Sequence, residues 1–538
     1  MKKLYFLFFI ACYFSAVAQE DAWVYFNAKP NSQYYFDNPL QMLSQRALDR
    51  RMTQNIPLDF KDVPLHQPYI DQIAASNGIS VMAKSKWLNA LHVRGTQTNI
   101  AALTSLSFVE KVIYANHSLN PNPRKSQISQ KNNLVNKFQD VQANYNYGNS
   151  ATQVQMLNAH ILHQQNYTGA GKIIAIMDAG FPGVNTTAPF QRLRTNNSIL
   201  GGYDFVNDNS NPYTGNSHGT LVLSDMGGFV DNQLIGTAPD AKYYLFITED
   251  NNSETPLEES NWVEAAEMAD SLGVDVINTS LGYFTYDNPD YSYTYDDMNG
   301  IKSFISRGAD IAFSRGMICV TSAGNSGGSS NPYISVPADA FSTFTVGAVN
   351  ATRVKASFSS IGPTFDGRLK PDVMAMGASA TVANASGSVV TANGTSFSSP
   401  IMAGAVTSFW SAFPNKTNTE IIQLIKASAD KYGNPNFQYG NGIPNFQSAL
   451  NNALSTTNFT SEKISLYPNP TQNYITISIP DDLKQATIIF YNNLGQVVLK
   501  GKLYNQTQDI SLEFLPTGIY HYNIATSNKI LNGKIIKN

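Results

Sequence analysis

The sequence predicts a large α/β domain on a parallel sheet, preceded by a small α+β unit and followed by an all-β sandwich. Three observations carry this. From about 151 to 455, short apolar runs without polar alternation are separated by helical stretches, as strands buried on both faces require. Before residue 118, strand and helix patterns alternate within a short span. From about 461 onward, short strand patterns recur at near-regular spacing. With 538 residues and 42% apolar content, the chain has material for several cores.

The chain opens on an export signal. Lys2 and Lys3 precede an apolar run from Leu4 to Phe14, and Ala16-Val17-Ala18 places small residues just before Gln19, so 1–18 reads as a cleaved signal peptide. The run falls short of the ~20 apolar residues that span a membrane. Phe9-Ile10-Ala11-Cys12 loosely resembles a lipid-attachment box, but further apolar residues follow Cys12. Signal removal leaves Cys319 as the single thiol, which excludes an intramolecular disulfide. Within Met317-Ile318-Cys319-Val320 it reads as a small buried hydrophobe.

In the first unit, 19–118, Trp23–Phe26, Leu91–Val93 and Phe108–Tyr114 read as strands, and Tyr69–Ser76 and Ile100–Leu106 as helices. Residues 119–150 are rich in Asn, Gln and Ser, and read as a linker or processing segment. In the large domain, 151–455, the apolar runs are Ile173–Met177, Tyr243–Ile247, Val274–Ile277, Ile318–Thr321 and Phe344–Val349. Trp262–Leu272 and Pro400–Phe413 supply crossover helices. The last unit, 461–538, alternates apolar and polar residues through Tyr474–Ile479 and continues in strand runs to Ile536.

Charged residues make up 14% of the chain, against about 25% in an average soluble protein. The 36 basic and 39 acidic residues give a net charge of -3, so no basic surplus points to nucleic acid or an anionic membrane. There is no HExxH, no paired CxxC and no complete EF-hand loop. Asp287 and Asp290, followed by Asp296 and Asp297, offer carboxylates for a structural calcium, although a solvated acidic loop is the simpler reading.

Three segments of the large domain stand apart. Asp178 ends the run Ile173–Met177 and begins Asp178-Ala179-Gly180, at a strand end where functional groups of α/β sheets gather. Taken alone, a helix-capping or turn aspartate is the more usual reading of that segment. His218-Gly219-Thr220 sets a histidine beside a glycine, which leaves room around the ring; His160, His163 and His521 read as structural histidines. Gly394-Thr395-Ser396-Phe397-Ser398-Ser399-Pro400 puts a serine at the mouth of a helix, where free amides favour negative charge. A serine hydroxyl needs an imidazole to take its proton, and the imidazole needs a carboxylate to orient it. The chain order Asp, His, Ser is one of the three known orders for such a triad, and no G-x-S-x-G frames a serine here.

Over about 150 to 455 these segments resemble the active-site motifs of the subtilase family of serine peptidases. The resemblance implies a subtilisin-like fold, with Ser396 as nucleophile, His218 as general base and Asp178 as its orienting carboxylate. The one departure is Ala179, where Ser or Thr is commoner. Ser322-Ala323-Gly324-Asn325 resembles the family's oxyanion segment, which implies that Asn325 donates its amide. Asn278-Thr279-Ser280-Leu281-Gly282 resembles the strand that binds extended substrate. Ser280, Leu281, Gly282, Ala323 and Gly324 would line the pocket, and the absence of an acidic residue among them predicts an apolar preference. No cofactor is implied for catalysis.

The first unit resembles an inhibitor-type propeptide, which implies that the chain carries its own intramolecular inhibitor. The last resembles a type IX secretion sorting domain, marked by Tyr467-Pro468-Asn469-Pro470 and Leu515-Pro516-Thr517-Gly518. That implies secretion or surface display, with the type IX machinery as partner and proteins or peptides as substrates. A carbohydrate-binding sandwich is the competing reading of that unit. For the whole chain it is a catalytically silent subtilase fold serving as a surface adhesin or binding module, against which all three triad positions and Asn325 are retained.

Overall fold

The first strand, β1 (Gln19–Phe26), is apolar on both faces, and this governs how the N-terminal region packs. It lies inside an antiparallel sheet with β2 (Ile79–Ser85), β3 (Ala90–Thr96) and β4 (Val109–Tyr114), in the order β2-β3-β1-β4. Side chains alternate along a strand. Ala22, Val24 and Phe26 therefore meet Ile73, Leu91, Val93, Ile100 and Phe108 in a core of their own. Trp23 and Tyr25 face the other way and, with Trp87 and Ala90, belong to the core of the large domain. This computed structural model describes residues 19–120, 145–454, 465–478, 487–492, 496–503, 507–525 and 530–538; the predicted signal peptide and most of the predicted linker lie outside them.

The large domain is built on seven strands: β5 (Ile173–Asp178), β6 (Ile199–Asp204), β7 (Lys242–Ile247), β8 (Val276–Thr279), β9 (Ile318–Ser322), β10 (Phe344–Val349) and β11 (Val373–Met376). They pair in parallel in the order β11-β10-β9-β8-β5-β7-β6. Every residue of β5, β8, β9, β10 and β11 is buried, as a sheet covered on both faces requires. The apolar-run reading misses two strands. β6 carries Gly201 and Gly202 and is partly exposed at the sheet edge, and β11 is only four residues long.

Alongside α1 (Gln45–Thr53) of the first unit, four helices of the large domain matter: α2 (His218–Gly227), α3 (Leu257–Leu272), α4 (Phe304–Ser314) and α5 (Thr395–Ser411). α5 crosses β8 to β11 and packs against α2. α3 and α4 pack with Ile173, Ala175, Met177, Ile277 and the buried Cys319. Their outer sides receive the N-terminal sheet. The Trp23 ring stacks on Phe304 at 5.0 Å, and its Nε1 donates to Ser260 Oγ at 2.8 Å. Glu267 of α3 accepts hydrogen bonds from Ser85 Oγ at 2.6 Å and from the backbone N–H groups of Lys86 and Trp87, each at 2.9 Å.

Buried charge completes the docking. Asp270 of α3 receives Arg51 at 2.7 Å and also pairs with Arg50, both from α1. Arg51 pairs in turn with Asp62 at 2.8 Å, and Arg315 of the large domain reaches Asp59 at 2.9 Å. Because its charges are buried, α1 lacks the apolar stripe that would have marked it in the sequence.

Chain contacts divide the protein into two compact units, 1–452 and 453–538. The second holds β12 (Ser465–Tyr467), β13 (Tyr474–Ser478), β14 (Thr487–Tyr491), β15 (Val497–Lys502), β16 (Thr507–Ser511), β17 (Gly518–Ala525) and β18 (Ile530–Lys537). They form antiparallel sheets β12-β13-β16 and β15-β14-β17-β18. Ile475, Ile477 and Leu512 meet Ile488, Phe490, Tyr520 and Ile535 in one core, which makes this unit a sandwich with an interior of its own.

Asp270→Ala leaves two buried guanidinium groups without their shared partner. Removing one member of a buried ion pair costs about 3–5 kcal/mol. Urea unfolding of the full chain should show a loss of that size in the step that undocks the N-terminal unit.

Candidate active site

β5 and β7 run in register, Asp178 opposite Ile247, so the residues that follow them emerge side by side at the carboxyl edge of the sheet. Asp178 is 2% exposed. The turn after it is zipped to the loop before α2: Asn216 N–H donates to Ala179 O at 2.9 Å, and Gly180 bridges Gly215. A Cβ on Gly180 would lie 2.1 Å from Thr214 O, and one on Gly215 would lie 2.3 Å from Ala179 O, so both positions need glycine.

That closure delivers His218, the first residue of α2, to the carboxylate. His218 Nδ1 lies 2.8 Å from Asp178 Oδ1, which also accepts the Ala179 N–H at 2.8 Å. With Nδ1 engaged, Nε2 is left for another group. The negative charge of Asp178 raises the imidazole pKa above its ordinary value; burial opposes this, while the hydrogen bond and the more distant Glu249 add to the rise. Gly219 serves a different purpose from the one its place beside His218 suggests. A Cβ there would meet Gly180 O at 2.6 Å and the Phe181 ring at 2.7 Å, so the glycine admits neighbouring chain rather than an incoming group.

Ser396 is the second residue of α5 and is half-buried. Its neighbour Phe397 brings the two segments together, with its ring 5.9 Å from that of His218. Among the described residues no hydrogen bond joins Ser396 Oγ to His218. The helix start is tied down from several sides. Proline has no N–H, so Pro400 cannot bond the carbonyl four residues back. That carbonyl is Ser396 O, and Ser280 Oγ donates to it at 2.9 Å. Asn278 Nδ2 donates to Ser280 Oγ at 3.0 Å, and Ser399 Oγ donates to Asn278 Oδ1 at 2.9 Å.

Asn325 lies beyond β9 and is exposed. Its Oδ1 accepts from Thr395 N at 2.9 Å and Thr395 Oγ1 at 3.0 Å, which fixes the amide so that Nδ2 is the free end. Gly324 has φ +102, and its N–H donates to Thr395 Oγ1 at 3.2 Å. Ser322 Oγ donates to Leu281 O at 3.4 Å, so the segments 280–282 and 322–325 lie side by side. A Cβ on Gly282 would meet Ser335 Oγ at 2.7 Å, and one on Gly324 would lie 3.4 Å from the same atom. Both glycines thus lie close against Ser335.

Against protein-family models, residues 169–442 match the subtilase family. The chain belongs to the subtilase family. Residues 21–154 match the peptidase S8 propeptide domain of Bacteroidota, and residues 465–538 match the secretion system C-terminal sorting domain. Subtilisin NAT of Bacillus subtilis subsp. natto is 33% identical over 300 residues, covering 55% of this chain and 70% of its own. Subtilisin of Bacillus pumilus is also 33% identical, over 55% of this chain and 97% of its own. A solved MycP3 protease from the type VII (ESX-3) secretion system superimposes at a TM-score of 0.45 with 20% identity, over 58% of this chain and 91% of that one. This subtilase is a serine endopeptidase, and its sorting domain directs it by type IX secretion to the cell surface or beyond.

A cleft of about 490 Å³ adjoins His218 and Asp178 in the subtilase, with Ser280 and Leu281 on its wall. It also holds Glu249, which no sequence motif marks. Tyr283 OH donates to Glu249 Oε1 at 2.6 Å and Thr248 Oγ1 donates to the same oxygen at 2.9 Å. Burial pushes the Glu249 carboxyl up to about 8. The acidic residues considered for calcium are put to other uses: Asp287 Oδ2 accepts Glu254 N–H at 3.0 Å, and Asp297 caps the turn begun by Thr294. Among the described residues no three His, Cys, Asp or Glu side chains gather closely enough to hold a metal ion. His163 is structural, set between Tyr147 OH at 2.7 Å and Thr237 O at 3.0 Å.

Because the Asp178 charge is the largest influence on His218, Asp178→Asn should lower the imidazole pKa. Proton NMR titration should place His218 above the ordinary histidine value in the wild type and clearly lower in the variant.

Proposed function

We propose that this subtilase cuts peptide bonds through an acyl-enzyme formed on Ser396, with His218 as base and Asp178 as orienter. One observation carries the reading: Asp178 holds Nδ1 of His218, so the free Nε2 is available to a hydroxyl at the start of the adjacent helix. Ser396 Oγ attacks the carbonyl carbon as Nε2 takes its proton. The oxyanion is met by the Asn325 amide and the Ser396 N–H. The imidazolium then gives its proton to the leaving amine, and water releases the acyl group by the same path in reverse. The loose Ser396–His218 pairing fits a free enzyme, since such bonds often tighten only around substrate. The acyl side of an extended substrate pairs with Ser280–Gly282 and sets its side chain beside Gly282 and Gly324.

The N-terminal unit acts on this reading as the enzyme's own inhibitor. After β4, His117–Leu119 runs over the segment Pro289–Tyr291, and the His117 ring lies 5.3 Å from Tyr293, close to the cleft wall at Asp287. A cut between about 117 and 150 would separate residues 19–118 from the mature enzyme. The sorting domain would engage the type IX machinery.

Ser396→Ala should abolish fluorophosphonate labelling and casein hydrolysis while the protein keeps residues 19–118, which the wild type loses; mass spectrometry reads the second effect. Casein hydrolysis by purified Ser396→Ala would sink the assignment. Asn325→Ala should lower kcat about 10²–10³-fold with KM little changed, because its donor matters most once the oxygen is anionic. Since only neutral His218 can accept a proton and its pKa is raised, kcat/KM should fall as pH drops through a value above the ordinary histidine range.

A further inference from the structure

The cleft beside His218 has an unbalanced charge. Asp178, Glu249, Asp250, Glu254, Glu258 and Asp287 all line it, and no Lys or Arg does. Among the described residues the only ion pair made by any of these six is the one between Asp178 and His218. Carboxylates crowded at a partly dry wall need a positive partner or become protonated. Burial accordingly raises Glu249 and Glu258 well above the usual carboxyl range, and the charges on neighbouring acids raise them further. One acceptor of this lining is left without a donor. Tyr283 and Thr248 both bond Oε1 of Glu249, so neither occupies Oε2.

We infer that Glu249 forms a subsite for a cationic substrate side chain, so that the enzyme prefers Lys or Arg at one position close before the scissile bond. The inference rests on the peptidase reading above. Glu249 follows β7 as Asp178 ends β5, which brings it to the wall where a substrate paired with Ser280–Leu281 turns a side chain toward His218. The six carboxylates line the cleft without gathering three about one point. That spread suits an ammonium or guanidinium on a flexible stem better than a compact metal ion. The segments Ser280–Gly282 and Ala323–Asn325 carry no charged residue, so the apolar preference expected from them concerns a different substrate residue.

The test uses the processed wild-type enzyme and fluorogenic peptides that vary each of the four positions before the cut among Lys, Arg, Leu, Ala and Glu. One position should favour Lys or Arg over Leu by about 10–100-fold in kcat/KM, the scale of a partly desolvated charge pair. Raising NaCl from about 50 mM to about 1 M should narrow that ratio several-fold. Glu249→Gln should shrink the Lys/Leu ratio about tenfold, and Glu249→Lys should turn it in favour of Glu; a ratio is read because any change at His218 affects all peptides alike. EDTA or added Ca²⁺ should leave the ratio unchanged, and a ratio that collapses when Ca²⁺ fills the cleft would assign these acids to a metal and overturn the inference. An enzyme that labels with fluorophosphonate and cuts peptides with no cationic preference overturns the inference alone. A protein that cuts no peptide overturns both readings.

Discussion

A parallel sheet buried on both faces leaves one outlet for polar chemistry, and the large domain is organised around it. With β5, β8, β9, β10 and β11 fully buried, a polar side chain within them, such as Asn278, must find its partners inside the protein. Groups that meet solvent or a ligand must wait until the strands end. Asp178 closes β5, Glu249 follows β7, Ser280 follows β8 and Asn325 follows β9, all at the carboxyl edge. Neighbouring strands hold the spacing of these groups. The register of β5 with β7 and β8 therefore brings Asp178, Glu249 and Ser280 to one wall.

The helix carrying Ser396 enters this edge with its first turn already spoken for. Asn325 takes the Thr395 N–H, and Ser280 takes the carbonyl that Pro400 cannot satisfy. Each contact joins the serine segment to a segment with a proposed role of its own, the oxyanion amide on one side and the substrate strand on the other. The motif residues around Ser396 are thus joints as much as chemistry. Ser399, which never faces the cleft, holds Asn278, and Asn278 holds Ser280. A similar economy governs the N-terminal unit. Trp23 and Tyr25 need cover, yet the surface that covers them also carries Glu267 and Asp270. Those carboxylates are paired while docked and readily hydrated when bare, so α3 can lose its partner without exposing a wholly apolar face.

Much of this was legible in the sequence because buried parallel strands and family motifs are local signals. The runs at Ile173, Tyr243, Ile318 and Phe344 each mark a strand, and three short segments mark the edge where the strands end. The reading failed where charge is buried. α1 carries no apolar run because Arg50 and Arg51 look like surface residues, and the partner they share, Asp270, is distant in sequence. α3 begins at Leu257, ahead of the expected Trp262, because Glu258 and Glu259 lie inside the protein and break the apolar pattern. Glu249 was invisible for a related reason. It sits between an apolar run and a polar loop, and only the pairing of β5 with β7 reveals that it shares a wall with Asp178 and His218.

The one departure from the usual motif, Ala179, bears on the electrostatics of the site. A methyl at that position gives Asp178 no side-chain donor, and the carboxylate is left with the Ala179 N–H and the imidazole, both on Oδ1. Oδ2 stays buried without a partner in the chain. A carboxylate so sparsely solvated relies on the positive charge of its histidine more than one ringed by donors would, because fewer dipoles share the compensation. Glu249 adds to this only when ionised, and burial holds its carboxyl up at about 8. On the proposed mechanism it is therefore chiefly Asp178 that would stabilise the imidazolium formed when Ser396 gives up its proton. On that mechanism, the arrangement that would strengthen His218 as a base would also narrow the pH range in which it is free to act, so the site would gain in the reaction step what it gives up at acid pH.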